Sequence, residues 1–397
     1  MTQTGEVVSS AAGRSLHFAL VAGEHSGDQL GFKLMRALRD ASPGPVRFTG
    51  VGGERMAGEG LASLFPLSDI AVMGFVPVIR RLPTLLRRIR ETADAILAAD
   101  PDLLVIIDSP DFTHRVAKLV KRQRPKLPVV DYVSPSVWAW RSGRAKTMRG
   151  YVDHVLALLP FEPAAHRDLG GPACSYVGHP LIERLTELRP SPEDATRRTE
   201  TPPLIVVLPG SRRSEISRLI SDFGAALGQV AAKVGPLEVV VPAVEHLAAE
   251  IESRTTDWPV QPRIVRGETA KLEAFRRGRA ALTASGTATL ELALAGLPMV
   301  VAYKVAPLET WLKYVVKVPS IVLPNLILGS RAIPEFLQKD CTPDALATAL
   351  IPLVAGGPVR DGQIKALKSL DNLMLLPDGR SPSQHAADLV LQLSGQN

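Results

Sequence analysis

LIVVLPGSRRSEISRL, residues 204–219, passes from an unbroken apolar run through Pro209-Gly210-Ser211 into a basic amphipathic pattern, and so reads as strand, loop and helix. Leu204 to Leu208 do not alternate apolar with polar residues, the pattern of a strand covered on both faces of a parallel sheet. Pro209 and Gly210 stop the strand, Ser211 or Ser214 can cap the helix, and Ile216, Leu219 and Ile220 supply its apolar face. Free N–H groups at such a helix start attract anions, and Arg212 and Arg213 add forked donors at the same point. A diphosphate fits this arrangement, and so does an ordinary turn with two solvated arginines. No Gly-Lys-Ser/Thr follows the glycine at the Walker spacing, which argues against ATP hydrolysis.

The same signature recurs upstream. His17 to Ala22 reads as a buried strand, followed by the loop Gly23-Glu24-His25-Ser26-Gly27-Asp28 and a helix carrying Leu34, Met35 and Leu38. Ser26, Gly27 and Asp28 are candidates for the wall of a ligand pocket there, and Glu24 stands where a ligand would sit. Glu24 or Asp28 can equally cap the helix. A second strand lies near Arg47 to Val51, and Leu103 to Ile107 ends in Asp108-Ser109-Pro110. A carboxylate at the carboxyl end of a central strand stands in the usual ligand crevice of an open α/β sheet, so Asp108 is the candidate general base for a hydroxyl nucleophile. The strand Val129 to Val133 runs into Ser134-Pro135-Ser136-Val137-Trp138-Ala139-Trp140, whose two tryptophans either wall a pocket or bury against the next helix. After a strand over Val155 to Leu159 comes His179, available near the crevice or held as a structural histidine.

Downstream, strands are expected at Leu237 to Val241, Arg263 to Val265, Ala280 to Thr283 and Pro298 to Val305. Ser285-Gly286-Thr287 again places small residues and backbone donors at a helix start, and Glu291 can accept from a ribose diol. Asn325 in Leu323-Pro324-Asn325 can reach a ligand. Pro307 to Val318 and the stretch from Thr342 onward have helical patterns.

The chain has 397 residues, 46% of them hydrophobic, which suits two domains better than one. We expect a loose tail over residues 1–14, a first domain over 15–188, a Pro/Thr/charge-rich linker over 189–203 and a second domain over 204–365, followed by a helical segment, 366–397. The formal net charge of +6 points to an anionic partner: nucleic acid, a phosphorylated small molecule or a membrane surface. Interleaved stacking aromatics on a basic strand face are lacking, which disfavours nucleic acid. Cys174 and Cys341 have no metal-ligand spacing, so neither zinc nor a disulfide framework is expected, and a reducing compartment fits. No window is apolar enough to span a bilayer. MGFVPVIRRLPTLLRRIR, starting at Met73, is basic and amphipathic, with Leu82, Leu85, Leu86 and Ile89 on one face and Pro83 suited to a first helical turn. Val76, Val78, Ile79, Arg87 and Arg88 are its candidate membrane contacts, against the alternative of a core-packed helix with a solvated face.

Taken in order, GEHSGD, IDSPDF, SPSVWAWR, GHP, LPGSR, ASGTATLE and LPN resemble the lipid-A-disaccharide synthase family, inverting glycosyltransferases of bacterial outer-membrane biogenesis. The resemblance covers nearly all of the chain beyond the first dozen residues. It implies an α/β fold of two facing Rossmann-like domains (GT-B type), parallel sheets flanked by helices, with the last helices crossing back to the first domain. The implied reaction moves 2,3-diacylglucosamine from its UDP derivative to the 6-hydroxyl of 2,3-diacylglucosamine 1-phosphate (lipid X), forming a β-1',6 linkage and UDP. It implies no cofactor and no metal, and a protein held peripherally at the cytoplasmic face of the inner membrane. Residue by residue, it makes Asp108 the general base, Glu24 an essential carboxylate, Arg212 a UDP-phosphate contact, Ser285-Gly286-Thr287 the diphosphate loop, Glu291 the ribose contact and Asn325 a cleft residue. Gly210 and Ser211 belong to the same donor loop. Glu54 departs from the family, which more often has proline there, and implies only a local change of turn. The nearest rivals are other UDP-N-acetylglucosamine enzymes of this fold, a peptidoglycan glycosyltransferase or a 2-epimerase.

Overall fold

A computed structural model describes residues 14–70, 75–305, 318–376 and 379–395, with only the backbone of 75–80. The chain divides into two units, one running through Pro180 and resuming at Leu376, the other Leu181–Leu375.

The first unit contains β1 (Leu16–Ala22), α1 (His25–Ala41), β2 (Val46–Val51), α2 (Glu54–Gly58), α3 (Phe75–Ala99), β3 (Leu103–Ile107), α4 (Pro110–Gln123), β4 (Val129–Tyr132), α5 (Gly143–Met148), β5 (His154–Ala157), α6 (Glu162–Asp168) and β6 (Ala173–Tyr176). Its six strands are parallel, in the order β2-β1-β3-β4-β5-β6. The unbroken apolar runs predicted for β1 and β3 sit at the centre, where Phe18 to Ala22 and Leu103 to Ile107 are wholly buried. Alternate residues feed two cores: Ala19, Val21, Leu104 and Ile106 pack toward α3 and α4, while Phe18, Leu20, Leu103 and Val105 pack toward α1.

The second unit contains α7 (Leu185–Leu188), α8 (Pro192–Arg197), β7 (Leu204–Leu208), α9 (Arg213–Val234), β8 (Glu238–Ala243), α10 (Ala248–Thr255), β9 (Pro262–Arg266), α11 (Glu268–Arg277), β10 (Ala280–Ala284), α12 (Ala288–Leu294), β11 (Met299–Tyr303), α13 (Leu323–Leu328), β12 (Glu335–Leu337), α14 (Pro343–Ala355) and α15 (Pro358–Met374). Its parallel sheet runs β12-β11-β10-β7-β8-β9, so the order reverses between β7 and β10 as it does between β1 and β3 in the first unit. The last helix, α16 (Pro382–Ser394), packs on α1 and gives Ala386, Ala387 and Val390 to the first unit's core.

Three expectations change. Residues 189–203, read as a linker, contain α8, whose Ser191–Asp194 capping box and Asp194 ion pairs to Arg276 (3.1 Å) and Arg277 (3.0 Å) fix it to the second unit. The second unit extends past 365, because Gln363 on α15 donates to the Met299 carbonyl and accepts from its N–H at 2.6 Å, so the return begins at Leu376. Pro83 lies inside α3 rather than in its first turn. The helix expected over Pro307 to Val318 and the tail 1–13 lie outside the described residues.

Candidate active site

The first unit's strand-order reversal is a tight corner. The chain leaves β3 through Asp108 and Ser109, both left-handed at φ 58° and 46°, a region that costs non-glycine residues energy and is met where function requires it. The corner is locked by Asp108 N–H donating to the Tyr132 carbonyl (3.1 Å) and by Thr113 Oγ1 donating to the Asp108 carbonyl (2.7 Å). It needs clearance from the loop after β1, since a Cβ at Gly23 would lie 2.2 Å from Ser109 Cβ and one at Gly27 3.1 Å from the Ile107 carbonyl oxygen. The result is a half-buried Asp108 carboxylate that accepts from Ser26 Oγ at 2.7 Å on one oxygen and from Ser109 N–H at 2.7 Å on the other. Ser26, Gly27 and Asp108 therefore come together at this corner. Glu24, half-buried at the N-cap position of α1, makes no side-chain capping bond.

Asp28 lines a cavity and also has a structural duty. Buried, it accepts the N–H groups of Gly53 (2.8 Å), Arg55 (3.1 Å) and Met56 (3.0 Å), and so caps α2 rather than its own helix. Position 54 contributes none of these donors and is the first residue of α2, where proline is also at home; Glu54 therefore replaces it without disturbing the cap. A cavity of about 760 Å³ opens here, lined among others by His25, Gln29, Arg55, Ser63, Leu64 and Ser68.

The tryptophans part company. Trp138 packs edge-on against Phe161 (5.1 Å between ring centres) and donates from Nε1 to Glu162 at 3.0 Å, whereas Trp140 stays 41% exposed under the Arg141 guanidinium. Neither they nor His179 line the cavity beside His25. Burial pushes the Glu162 carboxyl up to about 7, against the opposing bonds from Trp138 and Leu159 N–H, and lowers His179 to about 4, leaving its ring neutral at pH 7. In α3, Leu85 and Ile89 turn into the core while Leu82 and Leu86 are 43% and 41% exposed, so the expected single apolar face is split. Arg88 is not free to meet lipid: it bonds Asp69 (3.0 Å) and Glu91 (2.7 Å) and lies over the Phe65 ring. Arg87 is exposed. The side chains of Val76, Val78 and Ile79 lie outside the described residues.

In the second unit the carboxyl ends of β7, β8 and β10 open onto a cleft of about 580 Å³, and Gly210, Ser211, Arg212, Ser285, Gly286, Thr287 and Glu291 all line it. Gly210 takes φ 122°, and any side chain there would strike Glu215, whose Cβ would be 2.6 Å away. Neither Ser211 nor Ser214 caps α9. The N-cap is Arg212, and Glu215, three residues on, accepts from Ser211 N–H (3.0 Å) and Arg212 Nη1 (3.1 Å). Arg212 is otherwise open to solvent. Ser285 Oγ donates to the Ile321 carbonyl (2.9 Å), and Glu291 is held by Lys271 Nζ at 3.1 and 3.3 Å. Asn325 does not join the cleft: it is 2% exposed, and its amide both donates to and accepts from Ile333 backbone at 2.9 Å, pinning the turn after α13. Sequence reading missed Glu215 and Lys271. The first was detectable as a glutamate at the third helical position; the second, on a helix twenty residues from Glu291, gave no local signal. Among the described residues no three His, Cys, Asp or Glu side chains converge as metal ligands.

The sequence profile of the family described as Lipid-A-disaccharide synthetase matches residues 18–376. A lipid-A-disaccharide synthase from Nitrobacter hamburgensis is 55% identical over 384 residues, covering 96% of this chain and 97% of that protein. The one from Rhodospirillum centenum is 43% identical over 377 residues, 94% of each. Among solved structures, Acinetobacter baumannii MurG superimposes with a TM-score of 0.59 at 14% identity over 95% of this chain and 99% of that one. The UDP-GlcNAc 2-epimerase from Neisseria meningitidis bound to UDP-GlcNAc gives 0.60 at 11% identity over 96% and 100%. At these identities the two structures share the fold, two Rossmann-like α/β units of GT-B type.

Proposed function

The chain belongs to the lipid-A-disaccharide synthase family and is a hexosyltransferase of lipid A biosynthesis; from that premise we propose which groups carry the transfer and what they act on. The donor is UDP-2,3-diacylglucosamine and the acceptor 2,3-diacylglucosamine 1-phosphate. Asp108 takes the proton from the acceptor's 6-hydroxyl as that oxygen attacks the donor's anomeric carbon, while the bond from that carbon to UDP breaks on the opposite side and inverts the centre. Ser26 holds the carboxylate in place, and each Asp108 oxygen, with one hydrogen bond already accepted, retains lone-pair capacity for the hydroxyl. Glu24 and the cavity beside His25 and Arg55 orient the acceptor.

UDP occupies the cleft of the second unit. Arg212, with the backbone N–H groups of Gly286 and Thr287, stabilises the charge growing on the leaving diphosphate, and Glu291 accepts from the ribose. The observation that carries this reading is the Asp108 corner: a carboxylate in strained backbone, oriented by a serine in the first turn of α1, at the sheet's strand-order reversal. Mass spectrometry of products from UDP-diacylglucosamine plus lipid X tests the reading. UDP release at equal rates from the unacylated donor would favour the other UDP-N-acetylglucosamine enzymes instead.

No helix among the described residues is long and apolar enough to cross a membrane. The exposed Leu82 and Leu86, with Arg87 beside them on α3, support peripheral contact with an anionic bilayer such as the inner membrane's cytoplasmic face. Replacing Leu82, Leu86 and Arg87 by serine is expected to cut retention on anionic vesicles and leave turnover in detergent unchanged. Arg88→Ser, which breaks an interior contact, should instead lower the melting temperature; equal vesicle loss from both variants would refute the division.

A further inference from the structure

Arg198, Arg279 and Arg360 gather at the amino-terminal edge of the second sheet, where Arg279 N–H meets the Leu204 carbonyl at 2.7 Å, around a cavity of about 630 Å³. This is the opposite edge from the cleft assigned to UDP. Each guanidinium closes the carboxyl end of a helix. Arg198 donates to the carbonyls of Phe275 (3.0 Å) and Arg276 (2.6 Å) on α11 and of Ala295 (2.9 Å) and Gly296 (3.1 Å) after α12. Arg279 donates to Val354 (2.8 Å), and Arg360 Nη1 to Leu353 (2.7 Å), both at the end of α14. Among the described residues none of the three has a carboxylate partner.

Helix capping explains those bonds and leaves two things over. Arg360 is only 8% exposed, yet Nη1 alone is engaged, with the Leu353 and Arg279 carbonyls; its Nε and Nη2 N–H groups have no protein acceptor among the described residues, and the residue lines the cavity. Neither nitrogen is sealed off from solvent, so both are open to an acceptor that enters the cavity. The charge is also unbalanced. Asp371, the one acid lining the cavity, already holds Arg189 at 2.5 Å, and Lys368 adds a further cation at the rim. Asp194, which acts on Arg198, is already paired with Arg276 and Arg277; offsetting three guanidiniums and a lysine by Asp361, which acts on Arg360, and by about half a charge for each of three helix ends leaves roughly +1.5. The groups act on one another accordingly: burial and the neighbouring Arg360 push Arg198 down to about 10, and burial with Arg279 does the same to Arg360.

We propose that this cavity is an anion site that binds a phosphate group, from a soluble phosphorylated compound or from a lipid headgroup, independently of the UDP cleft. The free Arg360 edge offers Nε and Nη2 side by side, the fork that matches two phosphate oxygens, and Lys368 closes from the rim. Leu294 and Leu367 form an apolar wall beside the fork, which suits a phosphate borne on an apolar body.

The test titrates inorganic pyrophosphate by calorimetry into the full chain and four variants, with vesicles of phosphatidylglycerol or phosphatidylcholine as a second arm. Binding should survive Arg212→Ala, which alters the other cleft, weaken roughly tenfold or more in Arg360→Gln and about threefold or more in Lys368→Glu, and disappear when Ala195→Trp fills the mouth. Ala195 and Lys368 are exposed, so these two variants decide the matter even if Arg360→Gln fails to fold. Loss of pyrophosphate binding in Ala195→Trp supports a free phosphate ligand, and loss of phosphatidylglycerol retention in Ala195→Trp supports a headgroup. Binding to neither probe, or binding that Ala195→Trp and Lys368→Glu leave unchanged, overturns the proposal.

Discussion

The corner between β1 and β3 and the corner between β7 and β10 occupy the same topological position in two parallel sheets, and they are built in opposite ways. In the first, two consecutive non-glycine residues, Asp108 and Ser109, take left-handed backbone, Ser109 Oγ is buried without a partner among the described residues, and the facing loop clears space with Gly23. In the second, glycine takes the positive dihedral at Gly210, the cleft is wide, and the nearby carboxylates are occupied, Glu215 by Ser211 N–H and Arg212 and Glu291 by Lys271. A left-handed non-glycine residue costs about 1–3 kcal/mol. Such strain is tolerable where one side chain must stand at one point, and glycine is preferable where backbone amides must approach a large ligand. On the proposed reading the first corner handles a proton and the second grips a diphosphate.

The comparison breaks most visibly at Asp108. Asp108→Asn keeps the shape and removes the base, so turnover should fall about 100- to 10,000-fold while UDP affinity stays the same. Turnover within tenfold of the parent would transfer the base role elsewhere. In the second corner, Arg212→Ala should weaken UDP by about 1.5–3 kcal/mol, as expected for a hydrogen bond to a charged group, measured by equilibrium titration. Unchanged affinity would mean that this largely exposed guanidinium never leaves Glu215 for the ligand.

How legible these corners were follows from the range of the interactions that make them. Asp108 and the Pro209-Gly210-Ser211 turn were readable because each directly follows a buried apolar strand, and strand β7 came out with both its predicted ends. Interactions across the chain were not. Asp28 looked like a cap for its own helix, but its acceptors reach Gly53, Arg55 and Met56, more than twenty residues on. Asn325 has a ligand-like setting in Leu-Pro-Asn, and only folding shows its amide spent on Ile333. Residues 189–203 looked like a linker by composition, although Ser191-Pro192-Glu193-Asp194 already held a helix start: a cap, a proline in the first turn and acids toward the positive end. Strand β12 is three residues long, too short to leave a pattern.

Behind the first corner, Glu162 tests how its tryptophan loop is held. Its folded value of about 7 lies above the ordinary 4.5, so the folded chain keeps the proton between those values; that contribution is complete below about pH 4.5 and is lost as the pH rises through 7. Glu162→Gln cannot titrate, and its amide NH2 must face either the Trp138 or the Leu159 donor. The variant should therefore be less stable than the parent at pH 5, with the gap narrowing by pH 8 by no more than roughly 3 kcal/mol, as read by chemical denaturation. A gap that widens with pH would show that the carboxylate is charged when folded.

The smallest effect separates the two corners most finely. Ser26 and Ser285 each donate one hydrogen bond, Ser26 to the Asp108 carboxylate and Ser285 to the Ile321 carbonyl, so both alanine variants lose a bond of similar length. If the first corner serves proton transfer, Ser26→Ala should lower kcat by about three- to tenfold, the worth of one modest hydrogen bond, with UDP affinity unchanged, because the carboxylate is then held only by Ser109 N–H. Ser285→Ala should act on the turn that presents Gly286 and Thr287, and so change UDP affinity by a similar factor while kcat at saturation stays near the parent's. Steady-state kinetics with both substrates varied distinguishes the outcomes. The same kcat-to-affinity pattern in both variants would mean that the corners do not divide the chemistry, and that the contrast in their backbone strain reflects packing alone.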